Sequence, residues 1–519
     1  MSWETAKTQW LEDSKGRDDS IHPGLTPHLT TDQQNTRYQF GHVYSRGGLN
    51  KFNSVSTPAG STIIGLSPYN RAGQSNIMTR MTTTTFEYYS AGWNDATGTA
   101  LNGTATTRPQ YALHKNNLIF TTEGLDRPRK FTSTLANTAT LGGTPPYAKA
   151  ICDYLVYLLL GNISADGSFT DTAFGWYGVM YSDDFDNNWS LCSGNILYVN
   201  ETPGSIVRME KLGKSVIVYK DDGLVVLTWV GGQTRFQKYR LPNAVGCLAP
   251  LSIIDCADMG HFYLGFDGII YNITPSFQVR GISNAQLSET LSPLLTLNKL
   301  AYSRSFVWPA KNLYIMLYDR TGLSGQLLDS YVAVNYRTGE FQTGQLGKQV
   351  IAGTNFRSTN LVDFQLLLST TTLVEEFETG GATDDDGVAI DRHHTSNWIK
   401  LDEEGNFYGV RLSVNRAPYS RISISYAKDF DEKFVELQSF NLKGGNIRDE
   451  FTELQYKVSP VFCTWIKLRL DFFHDATSQA PQVERIGIVY EPVHGTPLHR
   501  TGIPQSRSDG GYSGGAGQV

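Results

Sequence analysis

Between Tyr38 and about Gly380, short runs of β-branched and aromatic residues alternate with turns built on Gly, Asp and Asn. "GKSVIVYKDDGLVVLTW", "MGHFYLGFDGIIYNI" and "KNLYIMLYDRTG" each read as strand, tight turn, strand. A DG pair between two apolar runs is a hairpin signal, because glycine accepts the positive φ that such turns demand. Two of these pairs, Asp222-Gly223 and Asp267-Gly268, lie 45 residues apart. A loose recurrence of strand groups every ~40–50 residues is the mark of propeller blades. Candidate blades fall near 60–107, 108–145, 146–200, 201–243, 244–295, 296–346 and 347–380, a count of six or seven. The spacing predicts no long helix in this stretch.

Residues 381–495 follow a different rule. In "SRISISYAK", Ile422, Ile424 and Tyr426 share one face while Ser423 and Ser425 share the other. Similar alternation in "FYGVRLSVNR", "FCTWIKLRLDFF" and "VERIGIVYE" predicts half-buried antiparallel strands, and five or more of them suggest a small β-sandwich. Residues 1–37 form a polar arm punctuated by Pro and Gly, with too little apolar surface to fold alone. Residues 496–519 are a Gly/Ser-rich tail. The expected fold is therefore all-β: a six- or seven-bladed propeller over 38–380, an additional antiparallel β-sandwich over 381–495, and extended termini.

Composition narrows the function classes. Of 519 residues only 18% are charged, and the net charge is -6. A surface that grips nucleic acid by neutralising phosphates needs surplus Lys and Arg, so stable DNA binding is not expected. A mildly acidic wall past which DNA slides without sticking remains compatible with this charge. The five widely spaced cysteines contain no CxxC pair, and buried reduced thiols are expected. The N-terminus is polar from its first residues and has no signal-peptide core. The longest apolar run, "YLVYLLL" at 154–160, is far below the ~20 residues of a membrane span. Synthesis in the cytoplasm is expected.

The densest candidate chemistry is "YSDDFDNNWS", residues 181–190. Read as an EF-hand from Asp184, it places Trp189 where the loop needs Gly and Asn195 where it needs Glu, which excludes that site. A looser calcium loop stays open. The spacing of Ser182, Asp184, Asp186, Asn188 and Trp189 overlays S-x-D-x-G-x-T-W, the Asp-box turn of sialidase-type propellers. Asp and Asn side chains satisfy turn backbone, and the tryptophan supplies apolar area between blades. "TDDDGVAIDRHH" offers Asp384, Asp385, Asp386, Asp391, His393 and His394, but adjacent histidines on a strand face opposite ways, and a solvated linker is expected. No nucleophile elbow, P-loop or dinucleotide fingerprint occurs. No catalytic residue, cofactor or metal is expected.

The succession "SRGGLNKFNSVSTPAGSTIIGLSPYN", "TTEGLDRPRKF", "GVMYSDDFDNNWS", "VRMEKLGKSVIVYKDDGLVVLTWVGG", "GFDGIIYNI" and "YVAVNYRTGEFQTG" resembles the β-propeller tail proteins of short-tailed bacteriophages, called nozzle, tail tubular protein B or packaged-DNA stabilisation proteins. The resemblance covers roughly 40–495. It implies a virion tail subunit that forms a hexameric ring below the adaptor and continues the DNA channel. It further implies that this ring retains packaged DNA, carries fibres or spike, and touches double-stranded DNA only in transit. It supplies no catalytic residues; Asp184, Asp186, Trp189, Asp222, Gly223, Asp267 and Gly268 would serve blade architecture. The long N-terminal arm and the Gly/Ser tail have no counterpart in the resemblance. Two other readings stand beside it: a sialidase-like glycan-active propeller, and a propeller adaptor that binds surface glycans or proteins.

Overall fold

The computed structural model describes residues 7–10, 30–39, 42–164, 175–182, 189, 195–232, 235–282, 285–295, 299–320, 326–357, 364–379, 384–415, 420–431, 433–442, 451–474 and 482–492. Seven four-stranded antiparallel sheets occupy residues 48–379, and in six of them the strands pair in simple chain order. Blade 1 spans 63–95, blade 2 110–140, blade 3 147–198, blade 4 206–240, blade 5 254–281 and blade 6 304–350. Blade 7 takes three strands from 352–379 and its fourth from the other end of the propeller. Gly48–Lys51 pairs antiparallel with Val374–Thr379, with Phe377 opposite Leu49. The expected count of six or seven resolves to seven, and the ring is closed by a strand that precedes blade 1.

Packing explains the sequence pattern. Seven apolar clusters lie one between each pair of neighbouring blades. Ile64, Tyr69 and Phe86 of blade 1 meet Leu118, Phe120 and Phe131 of blade 2. At the closure, Ile63 and Met78 of blade 1 meet Phe356 and Leu367 of blade 7. A middle strand is thus covered on both faces, and its residues need not alternate. All six residues of Leu313–Tyr318 are buried, as are the first four of Leu224–Gly231.

The second module is one ten-stranded antiparallel sheet around one core. Its long strands, Ile399–Asn415 and Phe451–His474, run side by side, and the far half of the latter turns to pair with Ser420–Lys428. Ile422, Ile424 and Tyr426 enter the core as their spacing requires. Ser423 is also buried, and its hydroxyl donates to Glu436.

The N-terminal stretch departs from the expected arm. Lys7–Trp10 pairs with Gln482–Pro492, Thr30–Gln34 pairs with His393–Ser396, and His42–Ser45 pairs with Thr36–Gln39 and with Gln482–Pro492. Tyr38 therefore belongs to the second module, and the propeller is inserted between the two halves of that module. These strands are only four or five residues long and carry no continuous apolar run, so nothing in their sequence announces that they pair with the edges of this sheet.

One helix, Ala285–Leu295, links blades 5 and 6. Leu287, Leu291 and Leu294 seat it in the cluster between those blades. Its 11 residues are short enough to escape a search for long helical periodicity. The Gly/Ser-rich tail at 496–519 lies outside the described residues.

Candidate functional site

Of the predicted turn residues, Trp189 is the best supported by contacts. It is 1% exposed and packs against Ala112, Ile119 and Leu141 of the blade 2 side and Ile151, Leu158 and Leu160 of blade 3. Its backbone N–H donates to the Gly142 carbonyl at 3.0 Å, tying it to the connection between those blades. Ser182 is buried, and its hydroxyl accepts from the Leu158 N–H at 2.8 Å. Asp184 and Asp186 lie outside the described residues.

The two DG turns occupy equivalent places, between the second and third strands of blades 4 and 5. They are built differently. Asp267-Gly268 follows the expectation: Gly268 has φ +80°, the Ile269 N–H donates to the Asp267 carboxylate, and the Tyr271 hydroxyl donates to the other carboxylate oxygen. At Asp222-Gly223, the Lys220 N–H closes the turn on the Gly223 carbonyl at 2.9 Å. Gly223 is not among the positive-φ glycines, so its role there is not conformational. Lack of a side chain matters more, since a Cβ at Gly223 would sit 3.1 Å from the Thr202 methyl. The Asp221 carboxylate ties this turn to the connection that enters blade 4, accepting from the Ser205 N–H at 2.9 Å.

The expected solvated linker is the largest correction. Asp385 is wholly buried, and Arg392, His393 and His394 are buried with it. This segment and residues 46–48 are the two places where the chain crosses between the modules. The Arg46 guanidinium, 1% exposed, donates to both Asp385 oxygens at 2.9 and 2.7 Å. The remaining capacity of Asp385 is filled by the N–H groups of Leu49 (3.0 Å) and Gly347 (2.6 Å). Arg46 Nε donates to the Asn35 side-chain oxygen, which also accepts from the Gln345 N–H on blade 6. Arg392 donates to the Arg46 carbonyl, and the Asn35 amide donates to the Asp391 carbonyl. One connected network thus joins the N-terminal strands, blade 6, blade 7 and the start of the C-terminal strands.

The environment acts differently on the two arginines of this network. Burial opposes the Arg46 cation, but the Asp385 carboxylate outweighs it and holds the arginine above its ordinary range. Burial lowers Arg392 to about 10, helped by the like charge of Arg46. A shell of paired charges continues outward, where Lys348 contacts Glu375 at 3.1 Å and also Asp386. Packing at the crossing is tight: a Cβ on Gly48 would fall 1.9 Å from the Asp384 carbonyl oxygen.

The four described cysteines, Cys152, Cys247, Cys256 and Cys463, are buried and unpaired. Burial pushes Cys247 and Cys463 up to about 12, which keeps them as inert thiols. Among the described residues, no group of three or more His, Cys, Asp or Glu side chains is placed to hold a metal ion. Sequence reading missed the Arg46–Asp385 pair; its only signal was an acidic tract whose partner lies 339 positions away.

No protein-family model matches the chain, and no curated protein does. Solved structures of similar shape include a streptogramin B lyase, at 12% identity over 64% of this chain and 97% of that chain, with TM-score 0.40. A virginiamycin B lyase from Staphylococcus aureus matches at 8% identity over 64% and 99%, with TM-score 0.42. The WD40 repeats of RRP9 match at 7% identity over 64% and 100%, with TM-score 0.39. Likenesses this distant carry no argument about activity. The propeller assignment rests on the seven sheets and their closure.

Proposed function

We propose that this chain is a structural subunit of a short-tailed phage tail, a nozzle protein that assembles as a homo-hexameric ring below the adaptor. The observation that carries the reading is the buried network around Arg46 and Asp385. It locks a closed propeller into a second β-module at both chain crossings, which makes a block suited to bearing load. Closure of the ring by Gly48–Lys51 leaves few free strand edges along the blades. The net charge of -6 suits a channel wall that does not hold passing DNA. The succession of sequence segments set out above supplies the family expectation.

In this reading the ring continues the DNA channel, retains the packaged genome and anchors fibres or spike. Its chemistry is mechanical and assigns no catalytic step. The subunit is made in the host cytoplasm and resides in the virion tail. Self-association should bury over ~2,000 Å² at each obligate interface.

The test is electron microscopy of the purified full chain and of virions labelled at its C-terminal tail. Rings of the pure protein and label at the tail tip are expected. A monomer at high concentration, or label on the capsid shell, overturns the reading.

A further inference from the structure

Blades 2 and 6 are not neighbours, yet the connections that lead into them meet across the propeller axis. Arg108 lies just before blade 2, and Ala301 and Tyr302 lie just before blade 6. The Arg108 guanidinium donates through Nη1 to the Ala301 carbonyl at 3.2 Å and lies 5.5 Å from the centre of the Tyr302 ring. Its other side is held by Glu123, in the turn between the second and third strands of blade 2. Nε donates to Oε1 at 3.1 Å, Nη2 reaches the same oxygen, and the Arg108 backbone N–H donates to Oε2 at 3.0 Å. One carboxylate thus fixes both the backbone and the fork of the arginine. Glu123 is at φ +58°. A non-glycine residue in the left-handed region is strained, and a fold keeps such strain where the surrounding contacts use it.

Two further ties lie at the same level. Gln110 of blade 2 donates through Nε2 to the Val207 carbonyl of blade 4 at 3.0 Å, reaching past blade 3. Arg208 of blade 4 donates to the Pro250 carbonyl, in the connection to blade 5, at 3.2 Å. Cavities of about 190 and 250 Å³ lie on the two sides of these ties. Arg108, Val207 and Pro250 line the first, and the residues that follow them, Pro109, Arg208 and Leu251, line the second. The axis is therefore crossed by side chains and is braced at this level.

The brace bears on the seam of the ring. Opening the ring means losing the pairing of Gly48–Lys51 with blade 7 and parting Ile63 and Met78 of blade 1 from Phe356 and Leu367 of blade 7. Passing round through blades 6, 7, 1 and 2, the seam lies between the two anchors of the Arg108 tie. Tyr302 stands on the blade 6 side and Arg108 on the blade 2 side. If blade 1 swings away from blade 7, these two ends are drawn apart, and the guanidinium loses the Ala301 carbonyl and the Tyr302 ring together.

We propose that Arg108, positioned by Glu123, is a second clasp on the propeller, which reaches across the axis from the blade 2 side to the blade 6 side and holds blades 7 and 1 together when the strand closure is loaded. The clasp is independent of the assignment to a phage tail.

The reporter is a thiol introduced into the full chain by Met78→Cys, in the apolar cluster at the seam. Its alkylation by a maleimide, resolved by peptide mass, is compared in the same molecule with that of native Cys152, which is buried between blades 3 and 4. Labelling of a buried thiol measures how often its cover opens. Adding Arg108→Met, which keeps the stem and removes the fork, should speed labelling at position 78 by about three- to tenfold, the scale of a partly screened ion pair with an added hydrogen bond, and should leave Cys152 within about twofold. Tyr302→Leu, which removes the ring on the far side of the axis, should act in the same direction. Glu123→Gln serves if Arg108→Met does not fold, and Leu367→Cys reports from the blade 7 side if Met78→Cys does not. An unchanged rate at position 78 overturns the clasp. An equal rise at Cys152 also overturns it, because it marks a general loss of stability with no preference for the seam.

Discussion

Arg46 and Asp385, separated by 339 positions in the chain, form a two-pronged buried ion pair at the point where the propeller joins its host module. Each belongs to a different crossing of the chain between the two bodies. The pair therefore acts on their mutual placement more than on either core.

Removing one partner should expose this role. Asp385→Ala leaves the Arg46 cation buried and unmatched, and should cost roughly 3–5 kcal/mol. Denaturant unfolding followed by separate probes in each module should show two transitions where the parent shows one. The double change Arg46→Met with Asp385→Leu should recover part of the loss, because it leaves no stranded charge.

Closure of the ring depends on a glycine. In Gly48→Ala the new methyl would meet the Asp384 backbone, the nearest atom being 1.9 Å away. Neither chain segment can yield without losing the pairing of Gly48–Lys51 with blade 7. A loss of roughly 2–4 kcal/mol is expected from overpacking. Hydrogen exchange should speed up in Val374–Thr379 and leave blade 4 unchanged.

Trp189 should matter through its area alone. Its indole N–H is buried without a partner, so Trp189→Phe sacrifices no hydrogen bond and should cost about 1–2 kcal/mol, against about 3–5 kcal/mol for Trp189→Ala. Urea unfolding of both variants checks the difference. Equal losses would show that the residue does not wedge blades 2 and 3.

His261 should make stability depend on pH. It is fully buried and neutral: Nδ1 faces the Tyr219 hydroxyl at 2.8 Å, and Nε2 faces the Lys211 carbonyl at 2.8 Å. Burial depresses its pKa, with the Glu210 charge acting the other way. A depressed histidine means that the unfolded chain takes up the proton first. Stability is then complete above the ordinary histidine range and falls as pH drops below ~6.5, by at most about 1.4 kcal/mol per unit. The neighbouring Asp255 carboxyl, raised by burial, has the opposite sign; its contribution is complete at low pH and fades as pH rises above ~3.9. Thermal unfolding from neutral pH to about pH 5 should show a smaller decline in His261→Gln, which keeps a donor and an acceptor without titrating.

The propeller was legible in residues such as Leu224–Leu227 and Ile315–Leu317, where continuous apolar runs between turns require cover on both faces. Trp189 was legible for a similar reason, since a large aromatic beside a polar turn has few places to go except between sheets. Asp267-Gly268 carried its own geometry, because a positive φ is a local demand. Asp222-Gly223 marked its hairpin as well, but for another reason: the glycine is not at positive φ and is needed for clearance from Thr202.

Chain ends and charged partners obeyed another logic. Local sequence by itself determined which segments are strands, since period, turn chemistry and β-branching act over a few residues. Only the tertiary structure decided that Gly48–Lys51 seals the seventh blade, that the strands Lys7–Trp10, Thr30–Gln34, Thr36–Gln39 and His42–Ser45 complete the second module, and that Asp385 is buried. Those outcomes depend on which sheet edges and which counter-charges lie nearby in space, and a polar strand or an aspartate looks the same in the text whether it meets water or a partner hundreds of residues away.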